Sequence, residues 1–201
     1  MFNMTNKIKK NDRIKTDIIM KARELFMRFG LNKTTMEDIA HTMSKGKSTL
    51  YYYFAGKEEV FYAVAQKEIS DTFSAIVKEV EKHESAQESL RAFFLKRFDV
   101  LEEKVNTYPA MVREQKKNIE IFHKIHLEIS SLERNLIKDI LIRGIKSGEF
   151  NYINKKDCDS LAIAASTILS GIDTYTFVEG NVPPIGDQLN ILFSITMRGI
   201  K

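Results

Sequence analysis

A chain of 201 residues with 43% hydrophobic and 29% charged side chains has the balance of a folded globular protein, which excludes disorder as the starting assumption. Residues 1–17 carry five Lys/Arg but no apolar run, which excludes a secretory signal; the stretch Leu161 to Ile172 is too short to span a membrane, and the lone Cys158 cannot form an intrachain disulfide, so the expected location is the cytoplasm. The net charge of +4 is uneven: residues 1–57 hold 12 Lys/Arg against 5 Asp/Glu, a balance of +7, and residues 58–201 hold 19 against 22, a balance of −3.

A basic head on a mildly acidic body points to polyanion binding, with a solvated lysine-rich tail as the plain alternative. There are only three prolines, so long uninterrupted helices are expected. Ile18, Ala22, Leu25, Phe26 and Phe29 recur at helical spacing and predict a first helix that begins between Asn11 and Thr16. Gly30 should end it in a left-handed cap. A second helix opens at Thr35, with Asp38 completing a variant of the capping box, and runs to about Met43. Ser44-Lys45-Gly46 is a turn.

The third segment, Lys47-Ser48-Thr49-Leu50-Tyr51-Tyr52-Tyr53-Phe54, is the most informative. At about 100° per residue, Leu50 and Phe54 share one face, with Tyr53 on its shoulder. Ser48 and Tyr52 point the opposite way, flanked by Lys47 and Tyr51. An outward face that combines a cation, a small hydroxyl and two phenols is unlike an ordinary solvated face and calls for a partner. Two short helices joined by a glycine-containing turn form a helix-turn-helix, whose second helix enters the major groove of DNA.

The stretches Thr34-Thr35-Met36-Glu37-Asp38-Ile39-Ala40 and Gly46-Lys47-Ser48-Thr49-Leu50-Tyr51-Tyr52-Tyr53-Phe54-Ala55-Gly56-Lys57-Glu58-Glu59-Val60-Phe61 resemble the signature of the TetR family of transcriptional regulators. The resemblance covers roughly residues 12–72, with the motif at about 36–55. It implies an all-α fold of about nine helices. A three-helix DNA-binding domain (12–72) would precede a larger helical domain (73–201) for effector binding and dimerisation. It also implies a repressor that binds a palindromic operator in double-stranded DNA as a homodimer and is released by a small-molecule effector, with no enzymatic activity, cofactor or membrane partner. Lys47 and Ser48 would face base edges, Tyr51, Tyr52, Tyr53 and Lys57 would hold the sugar-phosphate backbone, Thr35 would stand at the start of the second helix, and Lys45 and Thr49 would join the DNA-binding set. Two departures stand out. Met43-Ser44-Lys45-Gly46 replaces the frequent Ala-Gly-Val-Ser, exchanging the turn glycine and the serine cap, and Tyr53 stands where many members carry histidine. Lys57 also makes sense on its own terms: it opens the next helix, where ammonium and backbone amides together favour a phosphate.

A long helix is expected from Lys57 to about His83, with Phe61, Val64, Ile69, Phe73, Ile76 and Val80 on one side. Ser85-Ala86-Gln87-Glu88 reads as a capping box, followed by Leu90, Phe93, Phe94, Arg97, Phe98 and Leu101. Thr107-Tyr108-Pro109 is a fresh start, Ile119 to Lys146 forms another helix ended by Gly148, and Asn154 with Asp157 caps a helix through Glu179. A last helix is expected over 186–198. Ala162, Ala165, Ser166 and Ser170 form a small-residue face, which suits either packing inside one subunit or, as the resemblance favours, a dimer interface.

The effector pocket is implied by the resemblance. Its candidate residues are Phe94, Phe98, Met111, Phe122, His126, Thr167, Thr174 and Tyr175, which mix apolar walls with polar tips. Ordinary core packing competes for each of them. The alternative class is a helical metal protein or enzyme using Glu120, His123 and His126, since Glu120 and His123 make one Glu-x-x-His pair; a di-iron site would need a second, and the chain has none. A third class is a DNA-binding protein without an effector, or one regulated by a partner protein. Cys158 reads as a buried small residue.

Overall fold

The computed structural model describes residues 2–180 together with 182, 191 and 193–195. Among them the elements are helical: α1 (Phe2–Lys33), α2 (Met36–Thr42), α3 (Lys47–Tyr53), α4 (Lys57–Val80), α5 (Ala86–Thr107), α6 (Pro109–Glu114), α7 (Ile119–Ser147) and α8 (Cys158–Glu179). Short 3-10 turns precede α7 and α8. The helix expected over 186–198 lies largely outside the described residues.

α1 starts well before the predicted window. Periodicity reports only those turns of a helix that face a core, and among the side chains of α1 whose burial is described, from Asn11 onward, the first fully buried one is Ile18. No proline or glycine precedes it, so nothing local stops the helix from extending toward the N-terminus. At its other end Gly30 adopts φ 80° and ψ 176°. That is a positive-φ kink in extended backbone rather than the expected left-handed cap, and it is open mainly to glycine.

The chain divides into two compact units. One comprises the residues up to Glu68 together with Thr107–Ile125, and the other Ile69–Asn106 together with the residues from His126 onward. In this division, which differs from the expected boundary at 72/73, α6 and the start of α7 fall with the N-terminal helices. The reason lies in the core of that unit, where Tyr108 and Met111 are buried among Ile18, Phe26, Leu50 and Phe61. Phe61 meets Phe26 edge-on at 5.2 Å and Phe122 at 5.7 Å.

Polar contacts pin the same unit. Arg23 of α1 pairs with Glu68 of α4. Beside them, burial and the Glu68 carboxylate push the Tyr108 phenol well above its ordinary pKa. At the kink, the Asn32 amide donates to Glu114 Oε2 at 3.0 Å. A Cβ built on Gly30 would lie 2.6 Å from the Glu114 carboxylate, which a flexible side chain can relieve by moving, so the backbone is what favours glycine there.

The second unit has its own core, with Phe93 of α5, Ile137, Ile140 and Leu141 of α7, Phe150, and Cys158, Ala162 and Leu169 of α8. Cys158 is fully buried, and desolvation raises its thiol pKa. The α5 cap is more than the local box: Ser85 Oγ accepts from the Glu88 amide, but Glu149, far along the chain, accepts from the amides of Ala86 and Gln87 and from Ser85 Oγ. Partial burial works to raise the Glu149 pKa. The hydrogen bonds from Ser85, Ala86, Gln87 and Ser147 outweigh it and hold the carboxyl at about 2.

The small-residue face of α8, for which packing inside one subunit and a dimer interface were the two expectations, packs against its own chain. Ala162 and Ser166 are buried, and Ser170 Oγ lies 3.2 Å from Ser130 Oγ of α7. Ala165 packs half-buried against the same core. This face is turned inward because small side chains let α8 approach its own neighbours closely. The opposite side of α8 is exposed.

Candidate nucleic-acid interface

The helix-turn-helix is built by local rules. Thr35 Oγ1 accepts from the Asp38 amide at 3.1 Å, and the Asp38 carboxylate accepts from the Thr35 amide at 2.9 Å, so the predicted capping box is complete. Hydrogen bonds from the Thr35 hydroxyl and amide lower the Asp38 pKa. Thr35 is thus placed at the start of the second helix, engaged as its cap. Met36, Ile39 and Ala40 turn inward.

The turn resolves the exchanged glycine and serine. Ser44 takes the left-handed conformation at φ 50°, which serine adopts at a steric cost. Gly46 sits at the α3 N-cap in extended backbone, φ −71° and ψ 147°, and supplies no side-chain cap. The residue types and the backbone demands are crossed. α3 nevertheless forms, because Leu50 and Phe54 are buried at 0% and 2% exposure.

With those two side chains inward, the opposite face is delivered to solvent. Tyr52 is 71% exposed and Tyr51 49%. Lys45, Lys47 and Ser48 are exposed, and Thr49 is half-buried. Lys47 Nζ stands 3.7 Å from Glu37 of α2, an exposed pair that holds the lysine weakly. Tyr53 differs from its neighbours: its ring meets Tyr52 edge-on at 4.9 Å and its hydroxyl donates to Asn11 Oδ1 at 3.1 Å. The phenol that replaces a common histidine is therefore tied to α1. Asn11 could not be found from the sequence, since only the fold brings it beside a residue 42 positions away.

Lys57 is half-buried, and its ammonium donates to the carbonyls of Leu31 and Asn32 at 3.0 and 3.3 Å. Glu59 accepts from the Ala55 amide at the start of α4. Lys57 is thus a staple within the N-terminal unit.

The face that results carries hydrogen-bond donors (Lys47, Ser48, the two phenols) and flat apolar rings on one exposed helix. Lysine can donate to guanine O6 and N7, and tyrosine rings can pack on thymine methyls or donate to phosphates.

The expected effector residues are distributed over both units. Met111 is buried in the N-terminal core and Phe122 packs against it. In the second unit Phe94 and Phe98 are half-buried, whereas Thr167, Thr174 and Tyr175 are exposed on α8. The Thr167 and Thr174 hydroxyls are spent on the carbonyls of Ile163 and Ser170. Glu120 and His123 are exposed, and among the described residues no three His, Cys, Asp or Glu side chains gather as metal ligands.

Sequence reading missed a buried ionic cluster. Arg97 of α5 donates through Nε to Glu133 of α7 at 2.8 Å and through Nη2 to Asp173 of α8 at 2.6 Å. His126 Nδ1 stands 3.8 Å from Asp173 Oδ2. Burial works to lower the Arg97 pKa, but the Asp173 and Glu133 carboxylates reverse it, and the guanidinium is held in its charged form more firmly than in water. Burial raises the Glu133 pKa against the pull of Arg97. The signal was present: Arg97 stands on the apolar stripe of its helix, where a charge needs a partner.

A family model described as bacterial regulatory proteins, tetR family, matches residues 18–64. An uncharacterised HTH-type transcriptional regulator of Bacillus subtilis, YhgD, is 30% identical over 151 residues, covering 71% of this chain and 72% of its own length. Among solved structures, a transcriptional regulator from Cytophaga hutchinsonii superimposes with a TM-score of 0.67 at 25% identity, over 91% of this chain and 92% of that one. The fatty acid degradation regulator FadR from Bacillus halodurans matches with a TM-score of 0.66 at 18% identity, over 93% of this chain and 96% of its own. No helix among the described residues is long and apolar enough to cross a membrane.

Proposed function

Because the chain belongs to the tetR family of bacterial regulatory proteins and is a DNA-binding transcriptional regulator, we propose that it is a repressor that binds a palindromic operator as a homodimer and leaves it when a small effector binds. The observation that carries this reading is the α3 face, where Lys47, Ser48, Tyr51 and Tyr52 stand exposed over a fully buried Leu50. Lys47 and Ser48 read base edges, and Tyr51, Tyr52 and Lys57 serve the backbone.

The second copy docks on the outward side of α8. Leu161, Ile168 and Tyr175 repeat at helical spacing on that side, and Ile168 is 65% exposed. Two heads related by a two-fold axis then meet half-sites about 34–36 Å apart. The effector site lies in the second unit, where Phe94, Phe98 and His126 are half-buried.

Selection of bound duplexes from a random-sequence library tests this reading. Enriched sequences should be two-fold symmetric, and Ile168→Glu should sediment as a monomer and lose them. Enrichment of asymmetric sites, or of none, would overturn the palindromic reading. An Ile168→Glu protein that remained dimeric would remove the α8 face.

A further inference from the structure

The buried ionic cluster of the second unit is incomplete. Two carboxylates, Glu133 and Asp173, face one guanidinium, Arg97, so with His126 neutral the described group carries one negative charge more than it balances. Asp173 is 4% exposed, and among the described residues its Oδ1 has no hydrogen-bond partner, while Oδ2 is taken by Arg97. A buried carboxylate oxygen without a donor is costly, and such orphans are rare in folded proteins. His126 is close, but 3.8 Å exceeds hydrogen-bond length. The two hydroxyls one turn away, Ser130 and Ser170, are engaged with each other.

Two further features bear on what completes the site. The His126 side chain is 28% exposed, so the cluster adjoins solvent on that side. On α5, Phe94 and Phe98 stand three residues before and one residue after Arg97, and both are half-buried.

We propose that Asp173 is the recognition residue of the effector site and that the effector is a small organic cation with N–H donors, such as an alkylammonium or alkylguanidinium. This rests on the reading above that an effector exists. The cationic head donates to Asp173 Oδ1 and supplies the missing positive charge, and the apolar part lies against the phenylalanines. Glu133 takes part through charge, by keeping the cluster net negative and fixing Arg97 on the far side of Asp173.

Calorimetry on the full-length, DNA-free protein with n-octylammonium, octanoate and 1-octanol as matched probes tests the proposal. Octylammonium should bind, and Asp173→Asn should weaken it at least tenfold. Glu133→Gln, which removes charge but little volume, should weaken it in the same direction and serves if Asp173→Asn fails to fold. Octanoate or octanol binding as tightly as octylammonium would overturn the cationic class. Unchanged affinity in both folded variants would overturn the site, and the absence of octylammonium binding would overturn the proposal outright. Operator release by fractions of host extract is scored separately. Release without octylammonium binding leaves the effector reading standing while this proposal falls, and no release by any fraction removes the effector reading itself.

Discussion

Lys57 Nζ lies 3.0 Å from the carbonyl oxygen of Leu31, so the lysine at the start of α4 closes the end of α1. A charged hydrogen bond to a carbonyl at a helix end satisfies an acceptor that has no partner within the helix. Lys57→Ala should therefore act twice. Urea denaturation should show a loss of about 1–2 kcal/mol, and the slope of log binding constant against log salt should flatten by about one unit. Loss of stability with an unchanged slope would confine Lys57 to the staple.

Tyr52 gives the complementary case. Its ring is largely exposed, so Tyr52→Ala should change folding stability by less than about 0.5 kcal/mol. Operator affinity, by fluorescence anisotropy, should fall by about 1–3 kcal/mol, and Lys47→Ala should do the same while relaxing sequence preference. The exposed pair with Glu37 adds little to set against that loss.

The crossed turn residues can be uncrossed. Ser44→Gly removes the left-handed penalty and should stabilise the head by about 1 kcal/mol. Gly46→Ser adds an N-cap side chain worth a few tenths of a kcal/mol over glycine, roughly, and a Cβ at Gly46 would meet only Ser48 Oγ at an ordinary 3.5 Å. Thermal melts of the single and double variants should show near-additive gains. A destabilised Ser44→Gly would mean that Ser44 makes a contact worth more than its strain.

Glu149 predicts an acid-sensitive cap. Its folded pKa, about 2, lies below the ordinary 4.5. Its contribution is complete above the ordinary value and disappears as the pH falls through the folded one. Urea midpoints of the wild type and Glu149→Gln should differ at pH 7 and converge as pH is lowered from about 4.5 toward 2. Glu149→Ala should cost about 1–2 kcal/mol at neutral pH, as lost caps do.

The parts of this molecule that could be read in advance are those fixed within a few residues. The Thr35–Asp38 and Asn154–Asp157 boxes depend on three-residue spacing, and the inward Leu50 and Phe54 follow from helical period. What could not be read depends on distant partners. The α5 N-terminus is held by Glu149, 63 residues beyond Ala86. Tyr53 is tied to Asn11, and Arg97 finds Glu133 and Asp173 on two other helices. The small residues of α8 were legible as a close-packing face, but which neighbour they approach is a property of the whole fold.

The division of the chain also governs the order of synthesis. The head needs Tyr108 and Met111 to close its apolar interior, and its last stretch ends at Ile125. A ribosome must therefore extrude Ile69–Asn106 before the reading head has all its parts. Until then Phe61 and its neighbours wait with one wall missing. Lifting the head onto another protein would need two splices instead of one, and a fragment truncated at residue 72 would be a nascent-chain intermediate rather than a miniature regulator.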